Sequence, residues 1–440
     1  MQMDIDVKVI AGRELQTCVP SKAKKYEFGK WRMEFKGMNR LRSGDSFCMG
    51  ESLMSRHLMV VGGIGTGKTN TLKLAMRSIT NSMKDDDVMI IFDTKGDFRD
   101  EFYRPGRDVI ISNDDTACGP DGKANFWNLV NELEDDAHLP ENITEICNIL
   151  FAEKMKKTKD SFFPNAARDL TGAILYHAVK QRGKLPGGVN NYFLAQCFRN
   201  DQAWLLKMLE NYSRYSFCQS YISEKTPNQA EGVISEMRQV MNEILIGNFE
   251  KAGDLSIQEL VRQKKGRRIF IEYDIGVGSM LTPIYSLLFD LAIKAALCRG
   301  RTAGNVYFVA DEFKLLPNLG HIDDAVNFGR SLGIKFIIGI QNVDQIYDSY
   351  GENRARNIFS GFMNQFAFNV SDHATRTYIK ERAGQNRKCT VSTYISETKE
   401  IFETANVVED WDIQSLETGE AIIMLQDMEP FYFKFEEYIR

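Results

Sequence analysis

Cysteine and histidine are scarce, and neither is spaced for a metal centre. The 440 residues include eight cysteines, none of which forms a CxxC pair, and five histidines without HExxH or HxH spacing. Scattered single cysteines in a long chain are typical of reduced thiols in the cytosol. The sequence therefore argues against a disulfide framework and against a zinc site.

Long apolar runs are also missing. No stretch of about 18 consecutive apolar residues, the length that a membrane-spanning helix requires, occurs. The longest candidate, 284–298, is interrupted by Asp290 and Lys294, which favours a buried amphipathic helix. The opening MQMDID lacks the basic and apolar segments of a signal peptide. We therefore expect a cytoplasmic protein that does not span a membrane by itself.

An excess of positive charge is absent as well. The 55 lysines and arginines are balanced by 60 acidic residues, so the net charge is −5 and the pI is about 5.8. A uniformly basic surface for nucleic acid is excluded, and any such contact must come from local patches. At 43% hydrophobic residues, the chain has enough apolar material for a large core.

Short, continuous apolar runs alternate with stretches of helical periodicity. Such runs are typical of parallel strands that are buried on both faces of a sheet. We predict an α/β fold with a mostly parallel twisted sheet, whose strands lie at 58–61, 88–92, 108–111, 268–273, 306–310, 335–340, 366–370 and 421–425.

Between about 127 and 245 the strand signals disappear and the spacing is helical throughout. We predict an all-α domain at 127–245 that is inserted into a nucleotide-binding domain formed by 51–126 and 246–440. Residues 1–50 alternate short β-like runs with Gly, Lys and Arg, which predicts a β-rich lead-in.

The strongest motif is a complete GxxxxGK[ST] loop between a predicted strand and a predicted helix. Glycines let backbone N–H groups surround phosphate oxygens, and the helix N-terminus adds about half a positive charge. Lys68 is expected to reach the β- and γ-phosphates of ATP, and Thr69 to ligate Mg²⁺. The loop consists of Gly62, Gly63, Ile64, Gly65, Thr66, Gly67, Lys68 and Thr69.

A second acidic element follows the strand at 306–310, which ends in Asp311 and Glu312. We predict that Asp311 contributes to the Mg²⁺ shell and that Glu312 orients or deprotonates the attacking water. Asp93, at the tip of another apolar strand, is a competing candidate for the metal-side carboxylate, but it has no adjacent glutamate.

Two further polar residues lie near the next strand. Gln341 follows the strand at 335–340, where a neutral amide can contact the γ-phosphate or the water. Arg330 precedes this strand, and a guanidinium supplied by a neighbouring subunit can neutralise the charge of phosphoryl transfer. Arg354 and Arg356 are rival candidates for that role.

These motifs, together with KGDF at 95–98, FFPNAAR at 162–168 and GRSLG at 329–333, resemble the type IV coupling proteins of bacterial conjugation. That family lies within the wider HerA/FtsK group of DNA-pumping ATPases. The likeness extends through most of residues 50–430. It implies a RecA-like P-loop core with an inserted all-α domain, assembled as a hexamer with ATP between subunits and DNA in a central channel.

The resemblance also implies roles for single residues and partners. It matches Lys68 and Thr69 to the Walker A pair, Asp311 and Glu312 to the Walker B pair, Arg330 to the trans arginine finger and Gln341 to the γ-phosphate sensor. A relaxase or relaxosome and a type IV secretion channel ATPase are the implied partners. Typical members begin with transmembrane helices. We therefore expect either that a partner supplies the membrane link or that the protein is a soluble variant.

Two basic runs, at 154–159 and 263–268, are candidate DNA contacts, although each is also compatible with a solvated turn or helix end. Two other functions remain open: a nucleotide-dependent assembly protein that does not translocate DNA, and a P-loop kinase acting on a small molecule. The distance in sequence from Lys68 to Asp311 and the paired Glu312 favour a ring ATPase over the kinase.

Overall fold

A computed structural model describes residues 4–25, 32–159, 161–185, 187–298, 304–394 and 397–439. Its strands are β1 (Asp4–Ala11), β2 (Arg32–Met38), β3 (Ser43–Gly50), β4 (Leu58–Val61), β5 (Val88–Asp93), β6 (Val109–Ile111), β7 (Arg267–Glu272), β8 (Val306–Ala310), β9 (Ile334–Ile340), β10 (Asn364–Ala367), β11 (Gln385–Tyr394), β12 (Glu397–Asn406), β13 (Glu420–Met424) and β14 (Phe431–Phe435).

The helices alternate with these strands along most of the chain, which confirms the predicted α/β class. They are α1 (Ser21–Lys24), α2 (Glu51–Met54), α3 (Lys68–Thr80), α4 (Arg99–Phe102), α5 (Leu139–Lys157), α6 (Phe162–Lys180), α7 (Asn191–Arg199), α8 (Gln202–Glu210), α9 (Pro227–Ile244), α10 (Ile257–Gln263), α11 (Gly278–Leu297), α12 (Ile322–Phe328), α13 (Val343–Tyr350), α14 (Glu352–Gly361), α15 (His373–Ala383) and α16 (Asp410–Gln414).

The chain divides into two compact units. The first unit comprises Met1–Lys84, Tyr307–Lys314 and Val326–Arg440, and the second comprises Asp85–Val306 and Leu315–Ala325. These bounds mark compactly packed units, which do not by themselves define domains. The domain boundaries predicted at 50, 126 and 245 therefore stay a prediction.

The first unit is built on strands in the neighbour order β3-β2-β14-β13-β10-β4-β9-β8. Strand β4 pairs in parallel with β9 and with β10, whereas the strands from β13 outwards pair antiparallel. Every residue of β4 and β9 is buried, as expected for parallel strands that are covered on both faces. A separate antiparallel sheet has the order β1-β11-β12.

Phenylalanines fill the core beneath the antiparallel strands. Phe47 stacks on Phe35 with ring centroids 5.0 Å apart and meets Phe433 edge-on at 4.8 Å. Phe366 contacts both Phe35 and Phe47 edge-on. Such edge-to-face contacts stabilise a core beyond the area that they bury, and here they join β2, β3, β10 and β14.

The last described residues pack along α3. Asn70 Nδ2 donates to the Glu436 carbonyl at 2.9 Å, and the backbone N–H of Tyr438 donates to Asn70 Oδ1 at 2.7 Å. Arg77 donates to the Ile439 carbonyl, and its guanidinium lies over the Tyr438 ring, 4.8 Å from the centroid. The C-terminal segment is therefore fastened to the helix that follows the glycine loop.

The second unit combines three parallel strands with the longest helices. Its strands lie in the order β5-β7-β6, and α5 packs on α6, α6 on α9, and α11 on α5. Residues 127–245, predicted to be all-α, contain α5–α9 and short 3-10 segments, with no named strand among the described residues there.

Helix α11 is the most apolar helix that the structure describes. It is long and apolar enough to cross a membrane, but 72% of its most apolar window is buried inside the protein. Asp290, which interrupts the apolar run, is fully buried and contacts His321. These observations agree with the predicted buried core helix.

A charged cluster holds the segment that follows the Asp-Glu pair against α11 and α5. His321 Nδ1 lies 2.8 Å from Asp290 Oδ2, its Nε2 lies 3.3 Å from Glu145 Oε1, and its backbone N–H donates to Asp290 Oδ1 at 2.9 Å. Lys294 completes the cluster at 2.6 Å from Glu145 Oε2. Burial alone would lower the pKa of His321, but the two carboxylates outweigh it and raise the pKa above the usual 6.5.

We predict that His321→Gln lowers the free energy of unfolding by about 1–3 kcal/mol at acidic pH, because the imidazolium bonds to a buried carboxylate. A raised folded pKa stabilises the protein fully below about 6.5, and this contribution is lost as pH rises through the folded pKa. Urea unfolding from about pH 6 to about pH 9 should therefore show a difference between wild type and variant that shrinks with pH.

His138→Gln is the control, because the His138 side chain is exposed and makes no hydrogen bond or ion pair within the described ranges. A pH-independent cost for His321→Gln, equal to that of the control, would contradict the ion-pair account.

Candidate active site

The glycine loop lies where the sequence predicts it, between β4 and α3. Gly65 and Gly67 have φ of 74° and 113°, in the left-handed region that glycine adopts without strain. Gly67 is also the N-cap of α3, so the loop passes directly into the helix N-terminus. This geometry directs helix N–H groups and the positive end of the helix dipole at the loop.

Two other segments support the loop from outside, through contacts that sequence reasoning missed. A Cβ on Gly62 would lie 2.6 Å from Phe368 Cβ, so only glycine fits there. The N–H of Gly63 donates to the Asn369 carbonyl, and the N–H of Gly419 donates to the Thr66 carbonyl at 2.9 Å. Phe368 and Asn369 lie within the strand predicted at 366–370 and directly follow β10, but no sequence pattern indicates that this strand adjoins β4.

Lys68 folds back over the loop and is almost fully buried. Its Nζ donates to the carbonyl oxygens of Gly62 at 2.6 Å and of Gly63 at 2.8 Å. An ammonium in this position adds positive charge at the loop backbone. A phosphate chain in the loop would meet this charge directly.

Thr69 and Asp311 come together although 242 residues separate them in sequence. The Thr69 hydroxyl donates to Asp311 Oδ2 at 3.1 Å and lies 3.5 Å from Oδ1. Asp311 directly follows β8, and Thr69 is the second residue of α3. The structure thus brings the two predicted metal ligands within one hydrogen bond of each other.

Glu312 and Gln341 form a second contact beside the first. Gln341 Nε2 donates to Glu312 Oε2, whereas the buried Oε1 has no hydrogen-bond partner in the part of the chain that is described. Lys314 Nζ lies 3.9 Å from that oxygen. Burial raises the pKa of Glu312 above its ordinary value, although Lys314, Gln341 and Lys68 oppose the shift. A raised pKa makes the carboxylate a stronger base.

These side chains fit a magnesium nucleotide. A hydroxyl and a carboxylate at 3.1 Å are oxygen donors of the kind that Mg²⁺ prefers. The orphaned Glu312 Oε1 is an acceptor that a water molecule would satisfy. Thr69 and Asp311 could therefore hold Mg²⁺, with Glu312 beside them.

Arg330 lies apart from this cluster. It is exposed, and its side chain has no hydrogen-bond or ion-pair partner among the residues that the structure describes, although its carbonyl accepts from the Gly333 N–H. It lines a cavity to which no residue of the glycine loop, nor Asp311, Glu312 or Gln341, contributes. The rival Arg356 is paired with Glu352 at 2.8 Å, and Arg354 lies over the Tyr350 ring. The geometry therefore separates Arg330 from the nucleotide loop of its own chain.

Asp93, the competing acidic candidate, accepts hydrogen bonds from backbone N–H groups of its own loop. Its Oδ2 accepts from the N–H groups of Phe98 and Arg99 at 3.0 and 2.8 Å, and its Oδ1 accepts from Lys95 at 3.3 Å. Burial raises its pKa, and these three N–H groups oppose that shift. Asp93 organises the turn after β5.

The two basic runs offer less positive surface than the sequence indicates. Lys264, Arg267 and Arg268 are all buried, and burial lowers the pKa of Arg268 to about 10. Arg268 donates to the Phe102 carbonyl. In the other run, Lys154 lies 3.6 Å from Glu236. Most of the positive side chains of the 263–268 run therefore lie in the interior of the second unit.

Two sequence comparisons with known proteins agree. The family model for the type IV secretion-system coupling protein DNA-binding domain matches residues 46–436. Coupling protein TraD of Escherichia coli (strain K12) is 22% identical over 372 residues, which cover 81% of this chain and 49% of TraD. The chain thus spans about half the length of that relative.

Two solved structures share the fold over nearly the whole chain. The bacterial conjugative coupling protein TrwBdeltaN70, in complex with sulphate, has a TM-score of 0.76 and 20% identity, covering 98% of this chain and 95% of that chain. The plasmid coupling protein TrwB, in complex with the non-hydrolysable ATP analogue ADPNP, has a TM-score of 0.76 and 19% identity with the same coverage.

We predict that Gly62→Ala destabilises the protein by about 1–3 kcal/mol, because the added methyl group would overlap Phe368 Cβ and Thr66 Oγ1. Urea unfolding of the purified variant measures the loss. Gly187→Ala is the control, since a Cβ there meets nothing within 4 Å. Equal stabilities of the two variants would show that the loop can move away from Phe368.

Proposed function

Since the chain belongs to the type IV secretion-system coupling protein family, we propose that it is an ATP-hydrolysing DNA translocase of the conjugative kind. The observation that supports this most directly is the contact between Thr69 and Asp311, with Glu312 and Gln341 paired beside it. A triphosphate held by the glycine loop would have its terminal phosphate next to a base and a neutral amide.

The glycine loop binds the phosphates through the backbone N–H groups that follow Gly63, and the Lys68 ammonium neutralises the β- and γ-phosphates. Structures of the related TrwB in complex with ADPNP, with GDPNP and with ADP and Mg²⁺ support a nucleotide in this loop. Thr69 and Asp311 would hold Mg²⁺, which would withdraw charge from the phosphate oxygens.

Glu312 accepts a proton from the attacking water. Its raised pKa and its Oε1, which accepts no hydrogen bond from the described residues, suit that task, since a base needs an open acceptor and a basic carboxylate. Gln341 holds the other carboxylate oxygen and so orients Glu312 without adding charge. Its amide is also placed to sense whether the γ-phosphate is present.

Arg330 acts on the nucleotide of a neighbouring subunit. Its exposure and its separation from its own loop support a role in trans, and a finger arginine stabilises the transition-state charge. This role requires an assembly that repeats the interface between subunits, and we propose a homo-hexamer.

DNA is the substrate that the motor moves. The family description names a DNA-binding domain, and a net charge of −5 confines the DNA contacts to local cations summed over six subunits. We propose a relaxase or relaxosome and a type IV secretion channel ATPase as partners. The protein would be cytoplasmic, with membrane contact through these partners.

We predict that Glu312→Gln lowers the turnover number about 10²–10⁴-fold while ATP still binds, because only the base is lost. Lys68→Ala should lose both ATP affinity and turnover. Phosphate release measures turnover, and titration with a fluorescent nucleotide measures ATP affinity. The controls are Glu34→Gln and Lys36→Ala, whose side chains are exposed. Wild-type turnover in Glu312→Gln would remove the assigned base.

A second test addresses the shared site. Arg330→Ala should lower turnover about 10³-fold or more, whereas mixing Arg330→Ala with Lys68→Ala subunits should restore part of it, because some interfaces then combine an intact loop with an intact arginine. Arg356→Ala tests the rival finger and should keep its activity.

These rates are measured against protein concentration, with single-stranded DNA, with double-stranded DNA and without DNA. A slow rate that neither DNA stimulates would instead favour the nucleotide-dependent assembly protein.

A further inference from the structure

Four arginines of the second unit gather around one buried carboxylate, at the edge where β6 and β7 begin. Asp108 Oδ1 accepts from the backbone N–H of Arg268 and from Arg104 Nη2, both at 2.9 Å. Its Oδ2 accepts from the backbone N–H of Arg104, also at 2.9 Å. Arg267 completes the group together with Arg107, because the charge of Asp108 attracts it and that of Arg107 repels it.

The two arginines at the start of β7 are buried and incompletely bonded. Arg267 is 4% exposed and Arg268 is 7% exposed. Among the residues that the structure describes, Nε and Nη1 of Arg267 and Nε of Arg268 have no hydrogen-bond partner, whereas Arg268 Nη1 donates to the Phe102 carbonyl. Buried guanidinium groups are normally paired, because an unpaired buried charge is costly. These donors therefore fit a ligand that supplies acceptor oxygens.

Positive charge exceeds negative charge in this group. Arg104 is paired with Asp108 at 2.9 Å, and Arg107 is paired with Asp85 at 2.7 Å. The two buried arginines are left over, and one further acid that acts on this pair, Glu259, is exposed. A phosphate group carries up to about two negative charges and several acceptor oxygens, so it matches this surplus better than a single carboxylate does.

The turn that precedes β7 is strained. Lys264, Lys265 and Gly266 have φ of 57°, 58° and 59° in succession, and only glycine adopts such angles without cost. Two arginines of the group hold this turn: Arg104 Nη2 donates to the Gly266 carbonyl at 2.8 Å, and Arg107 Nη2 donates to the Lys265 carbonyl at 3.1 Å. Backbone strain of this kind concentrates at ligand clamps and switch segments.

We propose that Arg267 and Arg268, together with Arg104 and Lys265, form a binding site for a phosphate group. Lys265 is exposed and Arg104 is half-buried, so a phosphate meets these two side chains first. The unbonded guanidinium atoms are closed off from solvent, so the turn at 264–266 must move to admit the ligand. Release of the strain in the turn favours that movement.

This site is separate from the glycine loop, and it does not depend on the proposed hydrolysis of ATP. Its ligand chemistry is that of a phosphate oxygen, which has two sources, free phosphate and the phosphodiesters of DNA. The experiment distinguishes these sources.

The test uses Arg267→Met in the full chain, in a Lys68→Ala background that weakens phosphate binding at the glycine loop. Arg262→Met is the matched control, because Arg262 lies on α10 just before the same turn, is exposed and is paired with Glu134 at 2.6 Å. Lys265→Gln removes an exposed side chain, so it keeps the test valid even if Arg267→Met fails to fold.

Thermal unfolding is measured in inorganic phosphate and in chloride of equal ionic strength. Phosphate should raise the melting temperature of the background protein and of Arg262→Met, because it binds the folded state. The apparent Kd for phosphate should be about ten- to a hundredfold weaker in Arg267→Met, the effect of one lost charge-assisted hydrogen bond. In chloride, Arg267→Met should be at least as stable as the background protein, because a buried unpaired charge is removed.

Binding of single-stranded and double-stranded oligonucleotides identifies the source of the phosphate. If the site takes DNA phosphodiesters, the slope of log Kd against log salt should fall by about 1 in Arg267→Met. Unchanged oligonucleotide binding, with phosphate protection lost, would assign the site to free phosphate.

Two results would overturn the inference. The first is equal protection by phosphate in Arg267→Met, Lys265→Gln and Arg262→Met, or no protection of the background protein beyond that of chloride. The second is a large loss of stability of Arg267→Met in chloride while Lys265→Gln keeps full phosphate protection, which would make Arg267 a packing residue. Neither result affects the proposed ATPase function.

Discussion

The hydrogen bond between Thr69 and Asp311 is the contact on which the candidate site depends. It joins the first turn of α3 to the end of β8, two places that are 242 residues apart in sequence. The parallel strands between them make this closure possible, because the carboxyl ends of parallel strands lie at one edge of a sheet. A shift of β4 against β9 by one residue would move both the loop and Gln341, so the buried apolar residues of these strands indirectly set the site geometry.

Most of the parallel core could be predicted from the sequence. Runs such as 58–61 and 306–310 are continuous and apolar, and the strands there coincide with the prediction. The family match confirms the resemblance that the motifs indicated. The antiparallel strands β11 and β12 were not predicted, since QNRKCTVSTY and ETKEIFETAN lack an apolar run and pair mainly with each other.

Some features of the candidate site could not be predicted from the sequence, because they depend on tertiary contacts. Asp93 lies at the tip of an apolar strand, as a metal-side carboxylate would, but three backbone N–H groups of its own turn use its oxygens. In the sequence, the basic run at 263–268 resembles a surface patch. In the structure, Lys264 and Lys265 adopt positive φ and turn the chain. Arg267 and Arg268 therefore enter the interior. The cavity at Arg330, by contrast, gathers cations from distant segments, so no local pattern could reveal it.

The fastening of residues 436–439 to α3 connects the end of the described chain to the phosphate loop. Asn70 is the residue after Thr69, and it bonds to both Glu436 and Tyr438. Any event that orders the start of α3 should therefore lower the population of the locally opened form of this segment, by thermodynamic linkage. The amide hydrogen of Tyr438 is thus a remote reporter of the loop's state that hydrogen exchange can measure.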